Sequence, residues 1–303
     1  MPSVAPDRGQ RDVKIQRQYL AVFLILPAVV VVFFAMLIPL GYGLVMSLFD
    51  YKLGSEANAT FIFLKNYVRF LEDPLAIKSL CITLIFTGLA LSFELIVGVG
   101  MAVLLKSIPE RWSSILGALY SMPLLISPII VGLIWRYMYD PTFGLAYYVL
   151  SWFGLDSIFG GLEKPGWALL SIAIADVWET TPFILIVASA GLANIPKELY
   201  EAARIDGARA RHALIRITLP LLSKVLLVVT IIRGTDAFRV FDLIYALTGG
   251  GPGNSTLSLS IYAFQKGFDQ YQMGYAMAIS IVTMAVLVAV FAPLLKKSYV
   301  RSQ

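Results

Sequence analysis

Glu94, Asp176, Glu179, Arg233, Asp236, Arg239 and Asp242 all stand inside stretches that are otherwise apolar. A charge at the centre of a membrane-spanning helix costs about 2.5–3.5 kcal/mol on insertion scales, so each such residue is read first as functional. Arg233, Asp236, Arg239 and Asp242 alternate in sign every three residues. Residues three apart are neighbours on a helix, so this ladder can neutralise itself along one stripe. One reading is a salt-bridge seam that locks the helix to its neighbours; the other is the polar wall of a path. Both can hold together. A second group lies elsewhere, in "EAARIDGARARHALIRITLP", Glu201 to Pro220, with Arg204, Arg209, Arg211 and Arg216 between long apolar runs. His212 is the only histidine, which excludes a histidine-based metal cluster. Cys81 is the only cysteine, so the chain forms no internal disulfide; it reads as a buried small residue.

These residues need elements to hold them. The chain has 303 residues, 58% of them hydrophobic and 14% charged, with a mean hydropathy of +0.79. An ordinary soluble domain carries about 25% charged residues. So much apolar surface cannot fit one soluble core, and most of it must meet lipid. Six segments reach the roughly 20 residues that a spanning helix needs: 20–48, 79–105, 114–138, 167–192, 220–247 and 273–295. Pro27, Pro39, Pro123, Pro128 and Pro182 fall within them, tolerated where neighbours repair the lost hydrogen bond. The fold expected is all-α and integral to the membrane. The first apolar run is too long for a signal peptide and reads as a retained helix.

Lysines and arginines set the orientation. Arg8, Arg11, Lys14, Arg17, Lys106, Arg111, Lys197, Arg204, Arg209, Arg211, Arg216, Lys296, Lys297 and Arg301 fall on one side. Lys52, Lys65, Arg69, Lys78, Lys164 and Lys266 fall on the other. The richer side is the cytoplasm, so both termini are expected there. Residues 1–18 read as a cytoplasmic tail and 19–78 as the first helix with an external loop. Residues 79–295 read as a core of five helices, and 296–303 as a second cytoplasmic tail.

The basic stretch then lies in a cytoplasmic loop, 193–219. Asn194 and Pro196 signal a helix start, residues 197–206 one short helix, Gly207 its stop, and 208–219 a second helix broken or kinked at Pro220. An amphipathic hairpin lying on lipid head groups has this composition too. The spacing Glu201-Ala202-Ala203, three residues, Gly207, nine residues, Ile217, Leu219, Pro220 resembles the EAA signature of ABC importer permeases. "DAFRVFDLIYALTGGGP" (236–252), "DVWETTPF" (176–183) and "KNYVRFLEDP" (65–74) resemble carbohydrate-importer permeases of the maltose, trehalose and glycerol-phosphate type. The resemblance covers about residues 20–295.

That resemblance implies a type I ABC importer permease fold of six transmembrane helices. Glu201, Ala202, Ala203, Gly207, Ile217, Leu219 and Pro220 would form a coupling helix that docks on a cytoplasmic ATPase. It implies a second homologous permease in a heterodimer, two copies of the ATP-binding subunit and an external solute-binding protein. It also implies a place in the bacterial inner membrane and a sugar or polyol as substrate. No Walker sequence is present, so ATP and Mg are expected on partner subunits, with no cofactor, metal, nucleic acid or catalytic residue on this chain. Sugars stack on aromatic faces, which adds Trp178, Phe183, Phe238 and Phe241 to Glu179, Asp236, Arg239 and Asp242 as residues of the substrate path. Most membrane-protein aromatics serve packing or interface anchoring instead. Gly249, Gly250 and Gly251 read as an external backbone turn at the mouth of the path. The alternatives are a self-sufficient secondary transporter, which needs repeats and an ion site, and an intramembrane enzyme, against which the single histidine argues.

Overall fold

A computed structural model describes residues 8–54, 59–155 and 158–300, with side chains from residue 23 to 295 outside those gaps. Among the described residues the regular elements are helices and one two-stranded antiparallel hairpin. Its elements are α1 (Arg8–Met46), β1 (Phe49–Asp50), β2 (Thr60–Phe61), α2 (Lys65–Glu72), α3 (Pro74–Ser107), α4 (Glu110–Ser121) and α5 (Pro128–Met138). There follow α6 (Leu145–Ser151), α7 (Pro165–Ala193), α8 (Lys197–Ile205), α9 (Ala210–Ala213), α10 (Leu219–Phe238), α11 (Asp242–Leu247), α12 (Leu259–Phe264) and α13 (Met273–Val300). Among the described residues five helices are long and apolar enough to cross a membrane, and the bent pair α4–α5 brings the number to six when its two halves are counted as one broken span. Helices dominate because a helix satisfies its own backbone hydrogen bonds in lipid.

The boundaries differ from the sequence reading in instructive places. Helix is already present at Arg8 and still present at Val300, so both expected tails are partly helical. The second span begins at Pro74, ahead of the boundary at 79, because Asp73 caps it through its side chain to the Leu75 N–H and Pro74 fills the first turn. Segment 114–138 is not one rod: its halves meet at 98°. Pro128 has no N–H to continue the ladder and holds Ser127 extended (φ −65°, ψ 139°). Segment 220–247 also breaks, ending as helix at Phe238. The carbonyls freed there are met by serines of the α12 region: Ser258 Oγ donates to the Val240 carbonyl and Ser260 Oγ to that of Arg239, each at 3.3 Å. No pattern in 220–247 itself announces that repair.

The long helices α3 and α7 form the central pair. Gly98 lets them touch: a Cβ there would stand 2.6 Å from Cβ of Ile184. Ser79, Thr83 and Thr87 run up one face of α3, each hydroxyl donating to the carbonyl four residues back. Thr83 Oγ1 also accepts from the Leu259 N–H at 2.9 Å, which ties α12 to α3. Apolar residues of α3, α5, α7, α10, α11, α12 and α13 fill one core, and a second core joins α3, α7 and α10 toward the α8 end. By contrast the span Phe23–Met46 of α1 buries none of its apolar window. Cys81, expected to be buried, is exposed on the outside of α3.

At the end of the bundle opposite α8, Asp73 is the point where four elements meet. Its Oδ2 accepts from the Tyr275 hydroxyl at 2.9 Å and from the Tyr262 hydroxyl. Asn66 of α2 donates to the carbonyls of Ser47 and Phe49, at 2.9 and 3.0 Å, tying α2 to the β-hairpin. Partial burial would raise the Asp73 carboxyl. Hydrogen bonds from Tyr262, Tyr275, and the amides of Leu75 and Ala76 outweigh it and hold the carboxyl below its ordinary value. A carboxylate with a depressed folded pKa stabilises fully above its unfolded pKa of about 3.9 and loses that contribution as pH falls through the folded value. Asp73→Ala therefore lowers the thermal midpoint of the detergent-solubilised protein at pH 7, the cap alone contributing about 1 kcal/mol. The gap from wild type narrows below roughly pH 4. A gap that stays constant with pH contradicts a role for the charge.

Candidate functional site

Two constellations stand at different levels of the bundle. The first is an ion triad among the spans. Arg233 on α10 is buried, and its Nη2 donates to Glu94 Oε1 of α3 at 2.9 Å and to Asp176 Oδ2 of α7. All three side chains are at most 7% exposed. Glu94 Oε2 and Arg233 Nε are buried without a hydrogen-bond partner among the described residues. The triad staples the three central helices. The charge ladder expected along one helix is thereby divided: Arg233 turns away from Asp236 to two other helices. Asp236 pairs with Arg239 at 3.0 Å, both more than half exposed. Asp242 lies beyond the helix break, on α11.

Beside the triad opens a cleft of about 570 Å³, lined by Asp176, Glu179, Thr180, Phe183, Arg233, Asp236, Arg239, Phe241 and Asp242. Of the residues read from sequence as the path, Glu179, Phe183, Asp236, Arg239, Phe241 and Asp242 come together here. Two do not. Phe238 is fully buried in the core, because the helix turns it inward one residue before the break. Trp178 points off the cleft and meets Trp135 edge-on, centroids 5.8 Å apart. Asp176 and Thr180 belong to the lining without having been read as path, and Arg233, read as one rung of the ladder, lines it as well. Asp176 and Thr180 share the "DVWETTPF" motif with Glu179, which was the available signal. The cleft carries carboxylates and guanidinium groups that can hydrogen-bond a polyhydroxylated solute, with Phe183 and Phe241 offering flat faces. Among the described residues no His, Cys, Asp and Glu group is arranged to hold a metal ion.

The second constellation is the loop at the far end. The helix α8 ends in a Schellman motif: Ala208 N–H donates to the Ala203 carbonyl at 2.8 Å and Gly207 N–H to that of Arg204 at 3.0 Å. This demands the left-handed φ of +74° at Gly207, which glycine takes without steric cost. Asn194 is not a cap of α8; its amide donates to the Ala190 carbonyl at 2.9 Å and closes α7. The second expected helix is not separate either. Residues 210–238 run on as one span through a π turn at Leu214–Thr218, where Leu219 N–H reaches the Leu214 carbonyl. The register thus shifts just ahead of Pro220, which has no N–H to place. Glu201, Ala202 and Gly207 are exposed, with Ala203 half-buried, and Ile205 is 87% exposed. Ile217 is half-buried, while Leu219 and Pro220 are exposed.

Sequence reasoning missed what anchors this hairpin. Lys106 at the end of α3 donates to the Leu192 carbonyl at 2.9 Å, and its Nζ sits 4.8 Å from the centroid of the Tyr200 ring. The Tyr200 hydroxyl meets Thr218 Oγ1 at 3.0 Å. One lysine and one tyrosine therefore join α8 to α3, α7 and the π turn. A lysine in a helix's last turn was visible; its partner, ninety-odd residues on, was not.

Residues 94–301 match the model of the binding-protein-dependent transport system inner membrane component. The chain belongs to that family. It is a multi-pass permease subunit of a transporter and not an enzyme, and this membership sets aside the self-sufficient transporter and the intramembrane enzyme. The chain is 37% identical over 280 residues to the trehalose/maltose transport system permease protein MalF of Thermococcus litoralis, covering 91% of this chain and 92% of that one. It is 32% identical to the sulfoquinovosyl glycerol permease protein SmoG of Agrobacterium fabrum, over 95% and 93% of the two chains. It is also 32% identical to the diacetylchitobiose uptake permease protein NgcF of Streptomyces coelicolor, over 90% and 79%. In structure it is similar to a chain of a bacterial ABC transporter that imports the acidic polysaccharide alginate: TM-score 0.80, 23% identity, 98% of this chain and 100% of that one. This last likeness speaks for the fold of the permease.

Arg233→Met strands Glu94 and Asp176 without their cation. Removing one partner of a buried pair costs about 3–5 kcal/mol. The variant permease should therefore melt well below wild type when followed by fluorescence-detected size exclusion. Replacing all three, with Glu94→Gln and Asp176→Asn added, should recover much of that loss. A single variant as stable as wild type contradicts the stapling role.

Proposed function

We propose that this permease forms one half of the translocation path of an ATP-driven importer of a sugar or sugar derivative. The observation that carries the reading is the juxtaposition of a hydroxyl-binding cleft among the spans with a rigid, exposed hairpin at one end. The named relatives, which serve trehalose or maltose, sulfoquinovosyl glycerol and diacetylchitobiose, support the saccharide class. In this reading Glu179, Phe183, Asp236, Arg239 and Asp242, with Phe241, line this chain's side of the path. A second, homologous permease supplies the other side.

Glu201, Ala202, Ala203 and Gly207 present the coupling helix to one of two cytoplasmic ATPase subunits, which bind ATP and Mg. Ile217, Leu219 and Pro220 shape the joint between hairpin and span. The Schellman turn and the Lys106–Tyr200–Thr218 anchor make the hairpin a stiff element, so a push on it is passed to α3, α7 and α10. Those are the helices stapled by Arg233. Closure of the ATPases would then switch the cleft between outside and inside, and a loaded external binding protein would bias the same equilibrium from the opposite face. The chain sits in the plasma (inner) membrane with both termini and α8 in the cytoplasm, as its basic residues indicate.

Gly207→Val forces a β-branched residue into a left-handed turn, and Glu201→Lys reverses the exposed charge. Each should reduce uptake in reconstituted complexes by at least about tenfold while the subunit still reaches the membrane, a loss of about 1.4 kcal/mol or more in coupling. Full uptake by both variants would sink the coupling role.

The orientation has its own test. With Cys81 replaced by Ser, Asp269→Cys should react with an impermeant thiol reagent on intact cells, and Arg209→Cys only after the membrane is opened. The opposite labelling pattern inverts the topology.

A further inference from the structure

The wall of the 570 Å³ cleft is unevenly supplied with hydrogen-bond donors and acceptors. Its donors are largely committed. Arg233 is held between Glu94 and Asp176. Arg239 donates to Asp236 Oδ1 at 3.0 Å and to the Thr235 carbonyl at 3.3 Å. The Thr180 hydroxyl donates to the Asp176 carbonyl at 2.6 Å. Two carboxyl groups of the lining have no such match. Glu179 and Asp242 make no side-chain hydrogen bond and no ion pair among the described residues.

The two are not alike. Asp242 is exposed in the first turn of α11, where water can solvate it. Glu179 is only 5% exposed, and the little of it that is open lines the cleft. It stands within electrostatic reach of Asp176, Arg233 and Asp242. A buried charge is stable only where it is paired or hydrogen-bonded, and carboxylate oxygens can only accept. The donors that Glu179 lacks within the chain are left for a ligand to bring. The charge of the whole lining points the same way. Asp176, Glu179, Asp236 and Asp242 face only Arg233 and Arg239, and Glu94 stands behind Arg233 as a further acid. The wall is therefore rich in acceptors and negative in sum.

We infer that this wall selects a saccharide bearing no carboxylate, sulfonate or phosphate, and that Glu179 enforces the choice by accepting hydrogen bonds from hydroxyl or ammonium groups on the sugar. The inference rests on the sugar-importer reading above and names the charge class that reading leaves open. The two oxygens of one carboxylate match two donors on adjacent ring carbons. Phe183 and Phe241, half-buried in the same lining, offer flat faces to the ring's C–H groups. An anionic group brings only acceptors. It meets an excess of like charge in surroundings that screen far less than water does, and repulsion of that kind is a means of rejecting the wrong partner.

The rival partner for Glu179 is a cation of the second permease. The test reconstitutes the full complex, with its ATPase and external receptor, in liposomes. The unmodified complex is offered radiolabelled maltose, trehalose and diacetylchitobiose, which are neutral, chitobiose, which is cationic, and digalacturonate and sulfoquinovosyl glycerol, which are anionic. Uptake is expected only among the neutral and cationic sugars, and the one taken up serves as the probe for Glu179→Gln and Glu179→Leu. The Leu variant is expected to co-purify with all partners and to move roughly tenfold less sugar per ATP hydrolysed. The Gln variant, which keeps one acceptor, should fall between Leu and wild type. Uptake of either anionic sugar overturns the charge class and leaves the importer reading standing. A Leu variant with unaltered uptake per ATP overturns the role of Glu179. Loss of the second permease from the Leu variant on purification overturns it in favour of an ion pair between subunits. If none of the sugars enters while the ATPase responds to the receptor, the sugar reading fails before any variant is made, and the inference fails with it.

Discussion

A single guanidinium organises this protein. Arg233 reaches Glu94 on α3 and Asp176 on α7 from its own place on α10, so three spans that otherwise meet mainly through apolar packing are held together at one polar point. Between helices in lipid there is no hydrophobic drive to associate, and packing and polar links decide the arrangement. A buried pair gives weak net stability but a heavy penalty for separation. That asymmetry suits a bundle that must change shape without falling apart. The three helices are expected to move as one body, and larger motions to fall elsewhere.

Where those motions fall is suggested by the joints. The α4–α5 bend, the break after Phe238 and the π turn before Pro220 all interrupt spans at proline or at a repaired carbonyl. All three flank the α3–α7–α10 unit and the cleft beside it. The hairpin α8–α9, in contrast, is stiffened by a closed backbone motif and by Lys106 and Tyr200. Stiff handle, stiff core and jointed surroundings are the parts that alternating access requires.

Much of this was legible in the residues. Spans follow from apolar length, the hairpin from Glu201, Gly207 and Pro220 at fixed spacing, and the importance of Glu94, Asp176 and Arg233 from their cost in lipid. What the chain did not disclose is partnership across long separations. Periodicity paired Arg233 with Asp236, three residues away, whereas the fold pairs it with carboxylates 57 and 139 residues distant. Phe238 looked like a cleft residue because its neighbours are; one helical step turns it into the core. The break at 239–241 depends on Ser258 and Ser260, and nothing local could forecast it. Asn194, a good cap by type, serves the helix behind it rather than the one ahead.

The outward position of α1 has a consequence of a different kind. Its apolar span Phe23–Met46 holds 24 residues, about 36 Å at 1.5 Å per residue, against a hydrocarbon thickness of about 30 Å. An excess of that size is absorbed by tilting, and α1 is the span with none of its apolar window buried in the chain's own core. Bilayer thickness is therefore felt first by this helix. A thicker, sterol- or long-chain-rich membrane would draw α1 upright, a thinner one would lean it over, and the β-hairpin that follows Met46 would rise or sink with it. Hydrophobic mismatch thus has a route to the outer rim of the bundle that bypasses the stapled centre.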